Sequence, residues 1–419
     1  MLSTRGTAWS KVGFLHGKQN AYHPIRNPNG VVAFNNAENG FLHADLANFF
    51  NKHNHFEDNC CAYGEGYTGT LRLRTAMSNH LNSHFQPVWP IDPEDITFTA
   101  GVTDLNEVCA LVTCNPETDA IMLGGPVYGT FSKDLAMRTG IKLEWVPVGT
   151  DQFTPDCVAA FDAGFEDAKA RGVNVRALII CNPHNPLGRC YSRETLKALL
   201  HLCAAKGIHL ISDEIYALTT YPRDDQLSEK FTSIRAIDYS DIIDPTQVHV
   251  LYGMSKDYGA AGLRLGCLIS QNQEFCNAVR AICRFSSPSQ FSMDLAAKFL
   301  EDQEFVKQLL DKSHRVLSKI RLLAEKLLDE AGIKYEKKGN AGLFMWIDLS
   351  PQLPLSEANG DGWAAEKLLS DRFARAGVKV DPGAEYQSPE PGRFRLMFCV
   401  EEDTLREGVR RIVTALKAE

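Results

Sequence analysis

A lysine is the residue here with the most chemistry to offer. Tyr252-Gly253-Met254-Ser255-Lys256-Asp257 follows an apolar strand and runs into Gly259-Ala260-Ala261-Gly262-Leu263-Arg264-Leu265-Gly266. A lysine at a strand end, aimed into a cleft, can form a Schiff base with a carbonyl. Burial near cations lowers its pKa and frees the amine. Taken alone, Lys256 reads more readily as a solvated loop lysine, the fate of most lysines. Two further strand ends carry polar groups of other kinds. Asn182-Pro183-His184-Asn185-Pro186-Leu187-Gly188 follows a strand ending at Cys181, and its prolines restrict the backbone around Asn185, whose amide can meet a ligand oxygen. Asp213-Glu214-Ile215-Tyr216 closes another strand. A carboxylate there is costly to bury without a cationic or hydrogen-bonding partner. A protonated pyridine nitrogen would serve Asp213, and Tyr216 could reach a phenolic oxygen on the same ring. Loops at strand ends are where α/β sheets bind ligands.

Other motifs fail on context. Gly64-Glu65-Gly66-Tyr67-Thr68-Gly69 matches a dinucleotide fingerprint literally. That fingerprint needs a preceding strand and an acidic residue about 20 positions on, whereas Asn59-Cys60-Cys61-Ala62 makes a poor strand and Gln86-Pro87-Val88-Trp89 lies downstream. His53 and His55 near Cys60-Cys61 lack the paired spacing of a zinc site, so no metal is expected. No nucleophile elbow or phosphate-binding P-loop occurs.

The elements that must hold these residues read as α/β. Short apolar strands are predicted at Ile96–Ala100, Ala120–Leu123, Leu143–Pro147, Ala177–Cys181, His209–Ser212, His249–Tyr252 and Gly266–Ser270. Helices are predicted at Asp104–Cys114, Phe131–Thr139, Pro155–Arg171 and Arg193–Ala205. Strands alternating with helices imply βαβ units and a mainly parallel seven-stranded sheet. Gly266–Ser270 follows its predecessor so soon that it reads as an antiparallel edge. One long helical zone is expected from Phe291 to about Ala331. A smaller α+β domain follows, with strands Gly342–Leu349 and Arg393–Val400, a helix over Gly362–Ala376 and a final amphipathic helix from Glu401. Residues 1–60 read as irregular. The predicted organisation is an N-terminal arm belonging to the small domain (1–60), a large domain (61–290), and an interdomain helix with the small domain (291–419).

Composition narrows the partners. The chain has 419 residues, 44% of them hydrophobic and 23% charged, with 44 basic against 52 acidic residues for a net charge of −8. An acidic balance argues against nucleic acid, which selects basic surfaces. No apolar run reaches 18 residues, so no membrane span is predicted. The twelve cysteines form no C-x-x-C pair and mostly sit in apolar runs, as small buried hydrophobes do. With no apolar signal segment at Met1-Leu2-Ser3-Thr4-Arg5-Gly6, the expected compartment is reducing and cytoplasmic.

The set Asn185, Asp213-x-x-Tyr216, Lys256 and Arg264 resembles fold type I pyridoxal 5′-phosphate (PLP) enzymes of the class I/II aminotransferase superfamily. Within it, the chain looks most like 1-aminocyclopropane-1-carboxylate (ACC) synthases and their fungal and animal relatives. The motifs that carry the resemblance are Asn27-Pro28-Asn29-Gly30, Ala37-Glu38-Asn39, Tyr67-Thr68-Gly69 with Leu73-Arg74-Thr75-Ala76-Met77, Ala100-Gly101-Val102-Thr103, Asn340-Ala341-Gly342-Leu343-Phe344 and Glu390-Pro391-Gly392-Arg393-Phe394-Arg395. They run from about residue 27 to 400.

The resemblance implies roles. Lys256 would tether PLP and then move protons on the substrate, while Asp213 would keep the pyridine nitrogen protonated. Asn185 and Tyr216 would hydrogen-bond the ring hydroxyl oxygen, and Tyr128 would stack on the ring. Val102, Thr103 and Ser255 with Arg264 would hold the phosphate. Arg395, with Asn185 as a second substrate-binding residue, would grip the substrate carboxylate, and Glu38 would sit near a sulfonium. Tyr67 would reach the neighbouring subunit's cofactor, implying a homodimer. The chain departs from the family pattern at Gly253, often a hydroxyl residue that binds phosphate, and at Val127, where a second tyrosine is usual. The implied reaction is γ-elimination or substitution on S-adenosylmethionine or a related γ-substituted amino acid. An aminotransferase and a cysteine-conjugate β-lyase are the alternatives, since all three share this core. A non-catalytic relative would be expected to have lost Lys256, Asp213 or Arg264.

Overall fold

The computed structural model describes residues 1–12, 20–223 and 228–417. Seven strands make the main sheet: β1 (Ile96–Thr99), β2 (Asp119–Gly125), β3 (Lys142–Pro147), β4 (Asn174–Cys181), β5 (His209–Asp213), β6 (Val248–Gly253) and β7 (Gly266–Ser270), in the order β1-β7-β6-β5-β4-β2-β3. Central strands are apolar on both faces, as expected where helices cover both sides. In β4, Leu178 and Ile180 enter one core while Ala177, Ile179 and Cys181 enter the other. The same alternation splits Leu210 from Ile211 and Val250 from Leu251.

All pairs are parallel except those of β7, which runs antiparallel to both β6 and β1. The expected antiparallel strand is therefore real, but it is not the edge. Ile96–Thr99 pairs along its open side and satisfies the backbone groups an edge would expose. Because β7 reverses direction on both sides, β1 points the same way as β6. The carboxyl ends of β1, β2, β4, β5 and β6 thus share one rim of the sheet.

The expected single helix after residue 290 is two helices, Gln290–Glu301 and Gln303–Glu330. The break is at Asp302, whose non-helical backbone places its carboxylate to accept the Phe305 N–H at 3.0 Å. That is an N-cap, which competes locally with helix continuation. The described part of residues 1–60 is less irregular than its composition suggests. His43–His53 is a helix burying Leu46 and Phe49, and Phe49 stacks on Phe305 at 4.5 Å.

A four-stranded antiparallel sheet carries the C-terminal part. It contains β8 (Phe344–Asp348) and β9 (Arg393–Met397), flanked by two-residue strands at Lys334–Tyr335 and Asp381–Pro382. Val32–Ala33 pairs in parallel with Val378–Lys379, so the N-terminal segment joins this region. Among the described residues no helix is long and apolar enough to cross a membrane.

Candidate active site

At the rim of the main sheet the strand-end loops line a cavity with polar and apolar walls, the usual character of small-molecule sites. One end is built for an anion. Gly101 caps the helix Val102–Thr113 with φ 96° and no side-chain cap, so the first backbone amides have no side-chain acceptor. Arg264 adopts a left-handed conformation and is braced by two carbonyls. Its Nη2 donates to Ala100 O at 2.9 Å and its Nη1 to Ala261 O at 3.1 Å. A Cβ at Gly101 would lie 2.6 Å from Nη2, so glycine lets the guanidinium approach the helix start. Val102, Thr103, Ser255 and Arg264 all face this end.

The middle of the cavity holds Tyr128, Asn185, Asp213 and Tyr216. Asp213 is 3% exposed, and its Oδ1 accepts the Ile215 N–H at 3.1 Å. Burial pushes its pKa up to about 7, partly offset by that hydrogen bond, while the Asp134 carboxyl raises it and Lys256 lowers it. A carboxyl in this condition lacks a cation close enough to keep it ionised. The Tyr216 ring is held edge-on to Phe344 at 5.3 Å, and burial raises the Tyr128 hydroxyl to about 12.

Lys256, in the short helix Met254–Asp257 that follows β6, lines the same cavity, and its Nζ donates to the Ala37 carbonyl at 2.9 Å. Its pKa falls to about 8. Burial is the largest cause, Arg395 and Arg264 lower it further, and Glu38 and Asp213 act in the opposite direction. Ala37-Glu38-Asn39 is thus delivered from the N-terminal segment to the lysine, with Glu38 exposed in the single chain.

Arg395 adjoins the cavity from β9. Its Nη1 donates to Asn185 Oδ1 at 3.3 Å, and its Nη2 to Asn35 O at 3.0 Å and Asp381 Oδ2 at 2.7 Å. The guanidinium also lies over the rings of Phe344 and Tyr386, at 5.3 and 5.1 Å from their centroids. Three expected residues, Glu38, Arg395 and Tyr67, lie outside the cavity lining. Arg395 and Glu38 act on it through Asn185 and Lys256, whereas Tyr67 lies beside Tyr63 with ring centroids 6.0 Å apart.

Gly253 has a packing reason. A Cβ there would come 2.7 Å from Leu265 O and 3.2 Å from Gly266 Cα, so no hydroxyl side chain fits between β6 and β7. Sequence reasoning missed Asn106 and Asp134, which line the cavity, and Asp381 on Arg395. Asp134 Oδ2 is buried without a hydrogen bond, and its pKa is raised to about 7 by burial. No motif marks these residues; only the fold shows what they face.

Residues 55–412 match the family described as aminotransferase class I and II. Curated relatives include 1-aminocyclopropane-1-carboxylate synthase 6 of Oryza sativa subsp. japonica, 33% identical over 90% of this chain and 70% of that protein. Another is 1-aminocyclopropane-1-carboxylate synthase 1 of Prunus mume, 31% identical over 95% of this chain and 81% of that protein. Among solved structures, a Thermus thermophilus aspartate aminotransferase double mutant superposes with TM-score 0.72 at 20% identity, covering 92% of this chain and 91% of its own. An aromatic aminotransferase from Pyrococcus horikoshii gives TM-score 0.72 at 20% identity, covering 92% and 95%. A lysine with a lowered pKa opposite a buried carboxyl, on this fold and with these relatives, is explained by membership: the chain belongs to the class I and II aminotransferase family of PLP-dependent enzymes, in the branch that contains the ACC synthases.

Proposed function

We propose that this enzyme acts on S-adenosylmethionine, or on a closely related γ-substituted amino acid, as ACC synthases do. The observation that carries this reading is the likeness to ACC synthases over most of both chains. It is supported by Glu38, whose charge acts on Lys256 from the side of the N-terminal segment. An anion there suits a sulfonium substrate.

The cavity fits the family's cofactor. The uncapped amides of Val102 and Thr103, Ser255 and the braced Arg264 would hold its phosphate. Asp213, which lacks a close cation, would pair with the pyridine nitrogen. Asn185 and Tyr216 would donate to the ring hydroxyl oxygen, with Tyr128 against the ring face. Lys256 would be the covalent tether. When bound, PLP supplies the electron sink that makes a substrate Cα–H bond acidic. Lys256 Nζ, with a pKa near 8, is partly neutral at physiological pH and can take the Cα proton. Arg395, beside Asn185, would orient the α-carboxylate so that this proton faces the lysine. Residues 61–290 would form the cofactor-bearing domain, with 1–60 and 291–419 closing over it. A homodimer would bring Tyr67 to the partner's cavity, and the acidic chain would work in the cytoplasm.

The family description also favours a second reading, transamination. Both are separated by incubating the holoenzyme with S-adenosylmethionine, with alanine plus a keto acid, and with a cysteine conjugate, followed by mass spectrometry. The expected product is methylthioadenosine with a three-membered-ring amino acid. Turnover of alanine or of the conjugate with S-adenosylmethionine untouched would refute the proposal.

A further inference from the structure

Arg395 already holds a carboxylate. Asp381 stands directly opposite it across the strand pair Asp381–Pro382/β9. Its Oδ2 receives the Arg395 Nη2 donor at 2.7 Å and the Tyr386 hydroxyl at 2.8 Å. Neither charge is open to solvent, the two side chains being 6% and 15% exposed.

The geometry of the guanidinium makes this contact consequential. It offers a carboxylate two forks, one from Nε–H with one Nη–H along its side and one from the two Nη–H groups at its end. Nη2 belongs to both forks and carries two hydrogens. Asn35 O takes one and Asp381 Oδ2 the other. Nε meanwhile is buried without a partner. Bidentate binding of an incoming carboxylate therefore requires one acceptor to leave Nη2. The Asn35 carbonyl belongs to pinned backbone, since the neighbouring Phe34 donates to Lys379 O at 2.9 Å and accepts from Met397 N at 3.1 Å. Asp381 is the acceptor free to move. It also borders a second, solvent-open cavity with Asn35, Lys379 and Glu385, where a displaced carboxylate can be hydrated.

We propose that Asp381 is a built-in competitor for Arg395, which the substrate α-carboxylate must displace, and that this exchange makes the site reject simple carboxylates in favour of amino acids. This rests on the reading of Arg395 as the carboxylate-binding residue. Replacing one carboxylate by another yields little by itself. A ligand that offers only a carboxylate gains almost nothing, whereas an amino acid anchored elsewhere in the cavity supplies the difference.

The test is calorimetric titration of the holoenzyme with butyrate, which has a carboxylate and no amine. Asp381→Asn keeps the shape and removes the charge, and butyrate should bind it on the order of tenfold more tightly than wild type. A merely structural role for Asp381 gives equal or weaker binding, and that result overturns the proposal. Arg395→Lys added to the Asp381→Asn variant should abolish that gain in butyrate affinity. If it does not, the reading of Arg395 itself is lost, which is a separate failure. Should Asp381→Asn not fold, a wild-type crystal soaked in 2-aminobutyrate, the matching amino acid, decides. With the carboxylate bound on Arg395, the Asp381–Arg395 contact is expected to open beyond hydrogen-bonding distance, and an intact contact overturns the proposal.

Discussion

The reactivity of Lys256 is a balance struck at one nitrogen. Burial and the two arginines favour its neutral form, Glu38 and Asp213 favour its charged form, and the result lies near 8. A lysine at its ordinary value would be almost fully protonated at neutral pH and a poor base. The neighbouring departure from the family pattern is also settled by contacts. Gly253 sits where β6 and β7 exchange hydrogen bonds, and Leu265 O and Gly266 Cα occupy the space of a side chain. Gly253→Ser is therefore expected to destabilise the protein by about 1–3 kcal/mol through overpacking, without tightening phosphate binding. Denaturant unfolding alongside a PLP titration checks both halves. A serine variant of unchanged stability and higher cofactor affinity would show that the glycine is a lost phosphate ligand.

At the scale of elements, the anion end of the cavity is the meeting of a helix start and a turn. Neither suffices alone. The amides of Val102 and Thr103 need a cation near them, and Arg264 reaches them only because Gly101 has no Cβ and tolerates φ 96°. Gly101→Ala is expected to displace Arg264 and weaken PLP binding roughly tenfold or more, read as the absorbance change on adding PLP to the cofactor-free protein. Wild-type affinity in that variant would count against the cradle. The residues on this rim were legible in the sequence because buried strands are written as contiguous apolar runs, which makes the polar groups at their ends conspicuous; Asn185, Asp213 and Lys256 all emerge this way. Arg264 and Tyr128 needed the family resemblance. What the sequence hides is long-range pairing. Nothing near Gly266 says that Ile96–Thr99 will cover its far side, nothing near Asp381 says that Arg395 stands opposite, and a single Asp302 between two helical stretches gives little sign of a break.

Over the whole molecule, the site is an expense that the fold carries until its cofactor arrives. Two carboxyl groups, Asp134 and Asp213, are raised to about 7 by burial, and Lys256 is driven down to about 8 from its ordinary 10.5. The lysine is the clearest to test. Below about pH 8 it is protonated in both folded and unfolded chains, and the folded state bears the whole cost of burying the charge. Between about 8 and 10.5 the folded chain releases its proton first, so the unfolded chain binds more protons and stability rises with pH. Above that range the cost has gone. Lys256→Met, an apolar side chain of similar length, is thus expected to stabilise the cofactor-free protein at pH 7 by roughly 1–3 kcal/mol. The gain should shrink steadily as pH rises from 8 to 10.5. Chemical denaturation of both proteins across that range measures it. A pH-independent difference would mean that the lysine is not buried as a charge, and the proton-accepting role drawn from its lowered pKa would go with it.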